Sequence, residues 1–504
     1  MFVRHLRHKN GRTYIQVVSK HAGKYKVVKS FGSSDSTEEI ELLANKASLW
    51  IKSFTGLMEI DFEDEISLFN SLLNNISSHK LVGIDLVLGK IFDEIGFDQI
   101  QDELFKDLVL YRLVYPKSKL KTTEYLYRYQ QKEYSEDDIY RYMDKLHATQ
   151  KEVVQKISFE HTKEILGQDV SVVFYDVTTV YFEIDNEDEL RKTGFSKEGK
   201  HQNPQIVLGL LVSKNGYPLA YDVFEGNKFE GHTMLPIIDA FKTKYDLKQL
   251  VVIADSGLLS NSNIDELQSK NHEFILGARI KNESKSIKET ILSLNLKNGE
   301  SHIINKDNLK IIIAYSDDRA KKDKYNREKG LKKLEKQIKT GKLTKASINN
   351  RGYNKYLKLE GEITVVIDKA KFEQDAKWDG LKGYVTNAKL TKDEILENYQ
   401  HLWQIEKAFR IAKTDLRIRP IYHRKQNRIE AHVCLTFAAY KVYKELERQL
   451  KEKQSDLSPE KVIEIVQSIY QIEIVTPKTK ETIRKNILIT NEHKILSELF
   501  DFGC

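Results

Sequence analysis

Five runs between residues 170 and 280 are apolar almost without interruption: SVVFYDV, QIVLGLLVS, PLAYDVFEG, QLVVIADSG and EFILGARI. A strand apolar on both sides must be covered on both sides, unlike the alternating strands of a half-exposed antiparallel sheet. These runs predict the central strands of an α/β sheet, with HTMLPIIDAFKTKYD as a helix between two of them. Upstream, residues 85–165 carry apolar side chains at three- and four-residue spacing in LVGIDLVLGKIFDEIGF, DELFKDLVLYRLV and DIYRYMDKL, which predicts helices. Pro116 breaks that region, and Ser135 is a plausible helix cap. The N-terminal RTYIQVVSK and KYKVVKSFG read as strands around the turn-like HAG. Downstream, KIIIAYS, GEITVVIDK and GYVTN read as strands around a lysine-rich helix over 319–340.

At 504 residues the chain exceeds one compact core, and 40% hydrophobic with 31% charged residues is a globular composition. The longest apolar runs, IVLGLLV and CLTFAAY, fall far short of the ~20 residues of a bilayer span. The basic start MFVRHLRHKN is followed by no apolar segment, so the expectation is a cytoplasmic protein with no membrane partner. Two cysteines, Cys434 and Cys504, exclude a disulfide framework and a cysteine-based zinc site. The net charge of +7 conceals strong clustering. Residues 319–358 hold 15 Lys and Arg against three acids, and residues 399–429 hold eight against two, leaving −11 on the remainder. Two such segments suit a polyanion, and the simpler alternative is a solvated lysine-rich face.

GFSKEGKH at 194–201 nearly fits a phosphate-binding loop, but His201 replaces the magnesium-binding hydroxyl and a strand rather than a helix follows. No nucleotide cofactor is expected. No G-x-S-x-G or H-E-x-x-H motif is present either. The informative residues are three acids. Asp176 ends the apolar run SVVFYD and Asp255 ends QLVVIAD, each at a strand's C-terminal end, where open α/β sheets build their sites. One strand-end Asp is ordinarily a turn former, but two in one domain point to chemistry. The third, Glu406, lies in the predicted helix NYQHLWQIEKAFRIAKTDL, whose buried stripe is Leu402, Ile405, Phe409, Ala412 and Leu416. Tyr399, Glu406, Arg410 and Lys413 fall along its margin. Three converging carboxylates repel one another unless hard cations such as Mg²⁺ neutralise them. Two such ions ~3.5–4 Å apart serve phosphodiester displacement.

With these residues the chain resembles the DDE transposases of bacterial insertion sequences, in the group named after insertion sequence four. YDVTT (175–179), ADSG (254–257) and the long gap before Glu406 carry the resemblance. So does Tyr399-Gln-His-Leu402-Trp-Gln-Ile-Glu406 with Lys413 seven residues on, matching a Tyr-x2-Arg-x3-Glu-x6-Lys signature except at Leu402, where relatives have Arg. GFSKEGKHQNPQIVLGLLVSKNGYPLAYDVFEGN, WDGLKGYVTN and RIRPIYHRKQNRIEAHVCLTFAAY add to it, so that residues 85–450 are covered. The resemblance implies a ribonuclease H-like mixed sheet with flanking helices, interrupted by a β-rich insertion. It implies Asp176, Asp255 and Glu406 as catalytic residues and metal ligands for two Mg²⁺ ions, with Mn²⁺ as substitute. Its implied partners are double-stranded DNA, at the element's inverted-repeat ends and at the target, and a second copy of the chain in a dimeric synaptic complex.

The expected division is an N-terminal β-rich unit (1–60), a helical DNA-end-binding domain (61–165) and a first part of the catalytic core (166–280). A β-rich insertion (281–385), the Glu406 helix of the core (386–450) and a C-terminal tail (451–504) follow. Tyr399, Arg410, Lys413, Arg417 and Arg419 are expected to hold DNA phosphates, and Lys332, Lys333 and Lys336 to track DNA electrostatically. The alternatives are a nuclease of the same fold that cleaves without joining and a catalytically silent DNA-binding descendant. Lys200, His201, Asn227, His232 and His423 are read first as turn or surface residues and second as DNA contacts, and Cys434 as core.

Overall fold

A computed structural model describes the chain except residues 22, 56–64, 169, 197–198, 350–351, 362–363, 477–478 and 503–504, and the side chains of 65–68. Cys504 and the expected boundary after residue 60 lie outside the described residues. The strands are β1 (Phe2–Arg7), β2 (Thr13–His21), β3 (Lys24–Ser34), β4 (Ile76–Leu81), β5 (Val172–Tyr181), β6 (Gln205–Ser213), β7 (Pro218–Glu225) and β8 (Val251–Ala254). They continue as β9 (Glu273–Ala278), β10 (Ser301–Lys306), β11 (Leu309–Tyr315), β12 (Leu357–Glu360), β13 (Thr364–Ile367), β14 (Leu381–Thr386), β15 (Tyr470–Val475) and β16 (Thr482–Ile487).

The chain divides into two compact units, one of residues 1–94, 102–139 and 445–504, the other of 95–101 and 140–444. In the second unit eight strands form one sheet in the order β10-β11-β14-β9-β8-β5-β6-β7. β5 runs parallel to β8 and β8 to β9, while every other neighbouring pair is antiparallel. The five strands β7-β6-β5-β8-β9, with the first strand central, form the ribonuclease H-like core. The continuous apolarity of the runs follows from cover on both sides. Val173, Tyr175, Val177, Val207, Leu211 and Val252 pack with Met234, Leu235, Ile238 and Phe241 of the helix Met234–Lys244. On the opposite side Leu208 and Leu210 meet Ala408, Phe409 and Ala412 of the helix Trp403–Thr414 and Phe437 of the long helix beginning at Gln426.

The strands expected in a separate insertion mostly join this sheet: β10, β11 and β14 continue it beyond β9. Ile311, Ile313 and Val385 belong to the same buried core as β5 and β8, which is why they are not shed into a sheet of their own. Only β12 and β13 stand apart, as a two-stranded sheet packed through Tyr356, Leu357 and Val365 against Leu334 of the lysine-rich helix Asp317–Lys339. The helix Lys151–Ile165 packs on β7, with the Ser158 hydroxyl donating to the Pro218 carbonyl at 2.6 Å, so the helical stretch before β5 is shared between the units.

In the first unit, β1-β2-β3 is an antiparallel meander, with the helix Thr37–Thr55 on one side through Ile15, Val17 and Ala47. The C-terminal residues supply β15 and β16, and β15 pairs with β4. Ser135 caps its helix, accepting from the Asp138 amide at 3.1 Å. Among the described residues no helix is long and apolar enough to cross a membrane.

Candidate active site

The pairing of β5 with β8 runs Val172↔Val251, Val173↔Val252, Phe174↔Ile253. Continuing that register by two residues brings Asp176 opposite Asp255. Asp176 does not end its strand as the sequence suggested: β5 runs on to Tyr181 because β6 keeps pairing with it as far as Gln205. It is the parallel neighbour that stops, at Ala254. The two aspartates therefore stand where β5 and β8 part, the kind of opening in which α/β sheets place their sites.

Both carboxylates are half-buried and anchored by local amides. The Val177 amide donates to Asp176 Oδ1 at 2.8 Å, and the Gly257 amide donates to Asp255 Oδ1 at 2.8 Å. The loop carrying Asp255 is braced from β9: Arg279 Nε donates to the Ser256 carbonyl at 3.0 Å and its Nη2 to the Gly257 carbonyl at 3.3 Å.

Glu406 sits in the first turn of the helix Trp403–Thr414. The single helix expected over Asn398–Leu416 is broken in two, with the first segment, Lys392–Gln400, started by a Thr391/Glu394 capping box. The break is a tight turn in which the amides of His401, Leu402, Gln404 and Ile405 each bond to the carbonyl three residues back. It lets Tyr399 and Ile405 both bury, which one straight helix axis would not aim at the same core. Ile405, Ala408, Phe409 and Ile411 are the buried side of the second segment, which packs on β5 and β6. Asp176 is paired directly with Leu210 on β6, so the two side chains share a sheet face. Leu210 faces the Glu406 helix, and Asp176 therefore lies on the face that this helix covers.

Tyr399 ties the third acid to the second. Its hydroxyl rests against Gly277 of β9, where a Cβ would lie 2.6 Å from the oxygen and 2.9 Å from the Ser256 amide. Burial raises the phenol's pKa well above its ordinary value, and the carboxylates of Asp255 and Glu406 push the same way. The ring makes an edge contact with Tyr384 at 4.5 Å between centroids. Lys382, two residues before Tyr384 on β14, sets its ammonium 4.6 Å from the Tyr399 ring centre and 5.4 Å from that of Tyr384. Burial lowers the Lys382 pKa, the Arg319 guanidinium lowers it further, and Glu406 opposes both. Arg319 belongs to the first turn of the lysine-rich helix. Asp255, Glu406, Tyr399, Tyr384, Lys382 and Arg319 thus share one electrostatic neighbourhood.

Lys382, Tyr384 and Arg319 were missed as site residues in the sequence. The available signal was the alternation of LKGYVT, which puts a lysine and a tyrosine on one side of an otherwise apolar strand. Of the expected DNA contacts, Arg410 and Arg417 are exposed, Lys413 is half-buried, and Arg419 stands over the Tyr181 ring at 5.9 Å, with Lys200 at 5.4 Å from the same ring. Lys332, Lys333 and Lys336 are exposed on the lysine-rich helix. Leu402 is buried. His201 Nδ1 accepts from the Ser196 amide at 3.2 Å, His232 packs on Phe229, and His423 lies between Tyr140 and His432. Cys434 is core, and burial pushes its thiol up to about 12.

Among the described residues no three His, Cys, Asp or Glu side chains are gathered closely enough to hold a metal ion. The fit to a hard divalent cation rests on donor kind and placement: carboxylate oxygens only, two of them on one level of the sheet and the third on the helix covering that face.

No curated protein matches the sequence. Among solved structures, a cryo-EM structure of a piggyBac transposase synaptic complex with hairpin DNA is similar at 8% identity and a TM-score of 0.38, over 81% of this chain and 80% of that one. At that distance nothing is carried over from it. The sequence model of the transposase DDE domain matches residues 168–442, more than half of the chain and the whole of the sheet with its Glu406 helix. The chain belongs to the transposase DDE domain family.

Proposed function

We propose that this transposase cuts the ends of its own insertion sequence and joins the freed 3′-hydroxyl to target DNA, with Asp176, Asp255 and Glu406 as its catalytic carboxylates. The reading rests on the common level of Asp176 and Asp255, on the sheet face covered by the Glu406 helix. These three would hold two Mg²⁺ ions, replaceable by Mn²⁺, which when bound acidify an attacking oxygen and stabilise a leaving oxygen of a phosphodiester.

The chain's own residues account for orientation. The amide anchors on Asp176 and Asp255 fix the orientation of each carboxylate. Tyr399, held neutral by its surroundings, keeps a hydroxyl proton to donate. Lys382 and Arg319 meet a backbone phosphate beside Glu406 and supply the charge that Leu402, standing at the signature arginine position, does not. Arg410, Lys413, Arg417 and Arg419 hold phosphates further along the duplex, and Lys332, Lys333 and Lys336 track it. Water and a 3′-hydroxyl are similar nucleophiles, so one site serves both cleavage and joining. Recognition of the inverted repeats by residues 61–165 and pairing of two copies in a synaptic complex complete the reading.

The test is a cleavage and strand-transfer assay on duplexes carrying the element's ends, one intact and one precleaved. Asp176→Asn, Asp255→Asn and Glu406→Gln should each abolish both products while duplex binding persists. Cleavage by all three variants would refute the assignment. Cleavage by the wild type with no joining of the precleaved end would favour a nuclease.

A further inference from the structure

The first 34 residues hold eight Lys and Arg and not one Asp or Glu. They form the meander β1-β2-β3, and among the described residues none of these eight basic side chains is paired with a carboxylate. The helix Thr37–Thr55 covers one face through Ile15 and Val17. The registers Phe2↔Val18, Val18↔Val27 and Lys20↔Tyr25 put Phe2, Lys20, Tyr25 and Val27 together on the other face. There the Arg4 guanidinium lies 5.7 Å and the Lys20 ammonium 5.4 Å from the Tyr25 ring centre, and Phe2 meets the same ring edge-on at 6.0 Å. Tyr25 is 55%, Val27 49% and Phe2 44% exposed, on a face that the covering helix leaves open.

An apolar patch flanked by two cations that no carboxylate among the described residues pairs calls for a polyanion with apolar surface of its own. We infer that the outer face of β1-β2-β3 is a duplex-DNA surface: Arg4 and Lys20 contact phosphates while Tyr25 and Phe2 lie against sugars or thymine methyls in the groove. The inference rests on the reading of the chain as a DNA-acting transposase, which selects DNA among polyanions. A β-ribbon is of a size to enter the major groove of B-form DNA, whereas the deep, narrow major groove of A-form RNA excludes it. The charge of this surface is masked in the overall total by acidic residues elsewhere in the chain, so net charge gave no sign of it.

The full-length protein is titrated with a fluorescent duplex carrying the element's end, reading anisotropy across about 50 to 200 mM salt. Reversal at two positions, Arg4→Glu with Lys20→Glu, should weaken binding at least tenfold and flatten the plot of log affinity against log salt by ~0.9 for each phosphate no longer neutralised. Tyr25→Ala should weaken binding with the slope unchanged. Circular dichroism and the melting temperature monitor folding, and if the reversed chain is unfolded, the neutral pair Arg4→Gln and Lys20→Gln should give a smaller change of the same sign. Wild-type affinity and slope in a folded variant would overturn the inference. So would an effect confined to duplex RNA or to phosphatidylserine vesicles. Asp176→Asn is carried in parallel: if it still cuts DNA, the catalytic reading fails and the sheet surface stands or falls on its own titration.

Discussion

The Tyr399 hydroxyl and Gly277 are so close that the glycine cannot acquire a side chain without moving the tyrosine: a Cβ would lie 2.6 Å from the oxygen. Gly277 is not at a left-handed position, so space rather than backbone conformation decides its substitution. Gly277→Ala should cost about 1–3 kcal/mol of stability by overpacking and should lower cleavage by shifting Tyr399 away from Asp255 and Glu406. Thermal or denaturant unfolding measures the first effect. Adding Tyr399→Phe should recover part of the stability and none of the activity; if the two effects simply add, the close approach is not what matters.

Lys382 is a half-buried ammonium between two tyrosine rings and beside Glu406. Lys382→Met keeps the length and removes the charge. If it contacts the phosphate being attacked, cleavage should fall roughly 10- to 100-fold, the equivalent of one charge-assisted hydrogen bond removed. Duplex affinity should change little, since a single phosphate interaction contributes modestly to the whole. Unchanged single-turnover cleavage would remove Lys382 from the site.

The exposed Lys332, Lys333 and Lys336 are expected to act through charge alone. Replacing all three with Gln should lower the salt dependence of duplex binding by up to about three phosphate equivalents and leave the melting temperature within a few degrees. A salt slope equal to that of the wild type would make this helix a solvated face.

Asp375 offers a pH test outside the active site. Burial favours its neutral form, but hydrogen bonds from Lys281 at 2.5 Å, Lys355 at 2.7 Å and the Tyr356 hydroxyl outweigh that and hold its pKa well below the ordinary carboxylate value. A carboxyl depressed in the folded state adds stability above its unfolded pKa of about 3.9 and loses it as pH falls through that value toward the folded one. Urea unfolding between about pH 6 and pH 3 should show the wild type losing stability that Asp375→Asn never had. The gap at neutral pH should be about 1–2 kcal/mol, reduced by the partial exposure of both lysines. A gap that stayed constant with pH would remove the charge from the explanation.

The core sheet was legible because its strands are buried on both sides, and continuous apolar runs such as QIVLGLLVS admit few other arrangements. The aspartates were legible because each follows such a run. Three features were not. The length of β5 beyond Asp176 depends on β6, whose register no local pattern in YDVTTVY reveals. The break at His401–Leu402 lies inside a pattern that satisfies helical spacing throughout, and tertiary packing of Tyr399 overrides it. Lys382 reads as an ordinary surface lysine until β14 is known to lie beside β9, a pairing across about a hundred residues of sequence that propensity cannot see.

That same pairing governs how the protein comes off the ribosome. Until β14 emerges, β9 is an edge strand with its backbone donors and acceptors unmet, and its residues FILG are fully apolar. Chains that terminate within the lysine-rich segment therefore carry both aspartates, lack Glu406 and present an unprotected sticky edge. Such products should accumulate as aggregates and not as soluble competitors of the full-length protein.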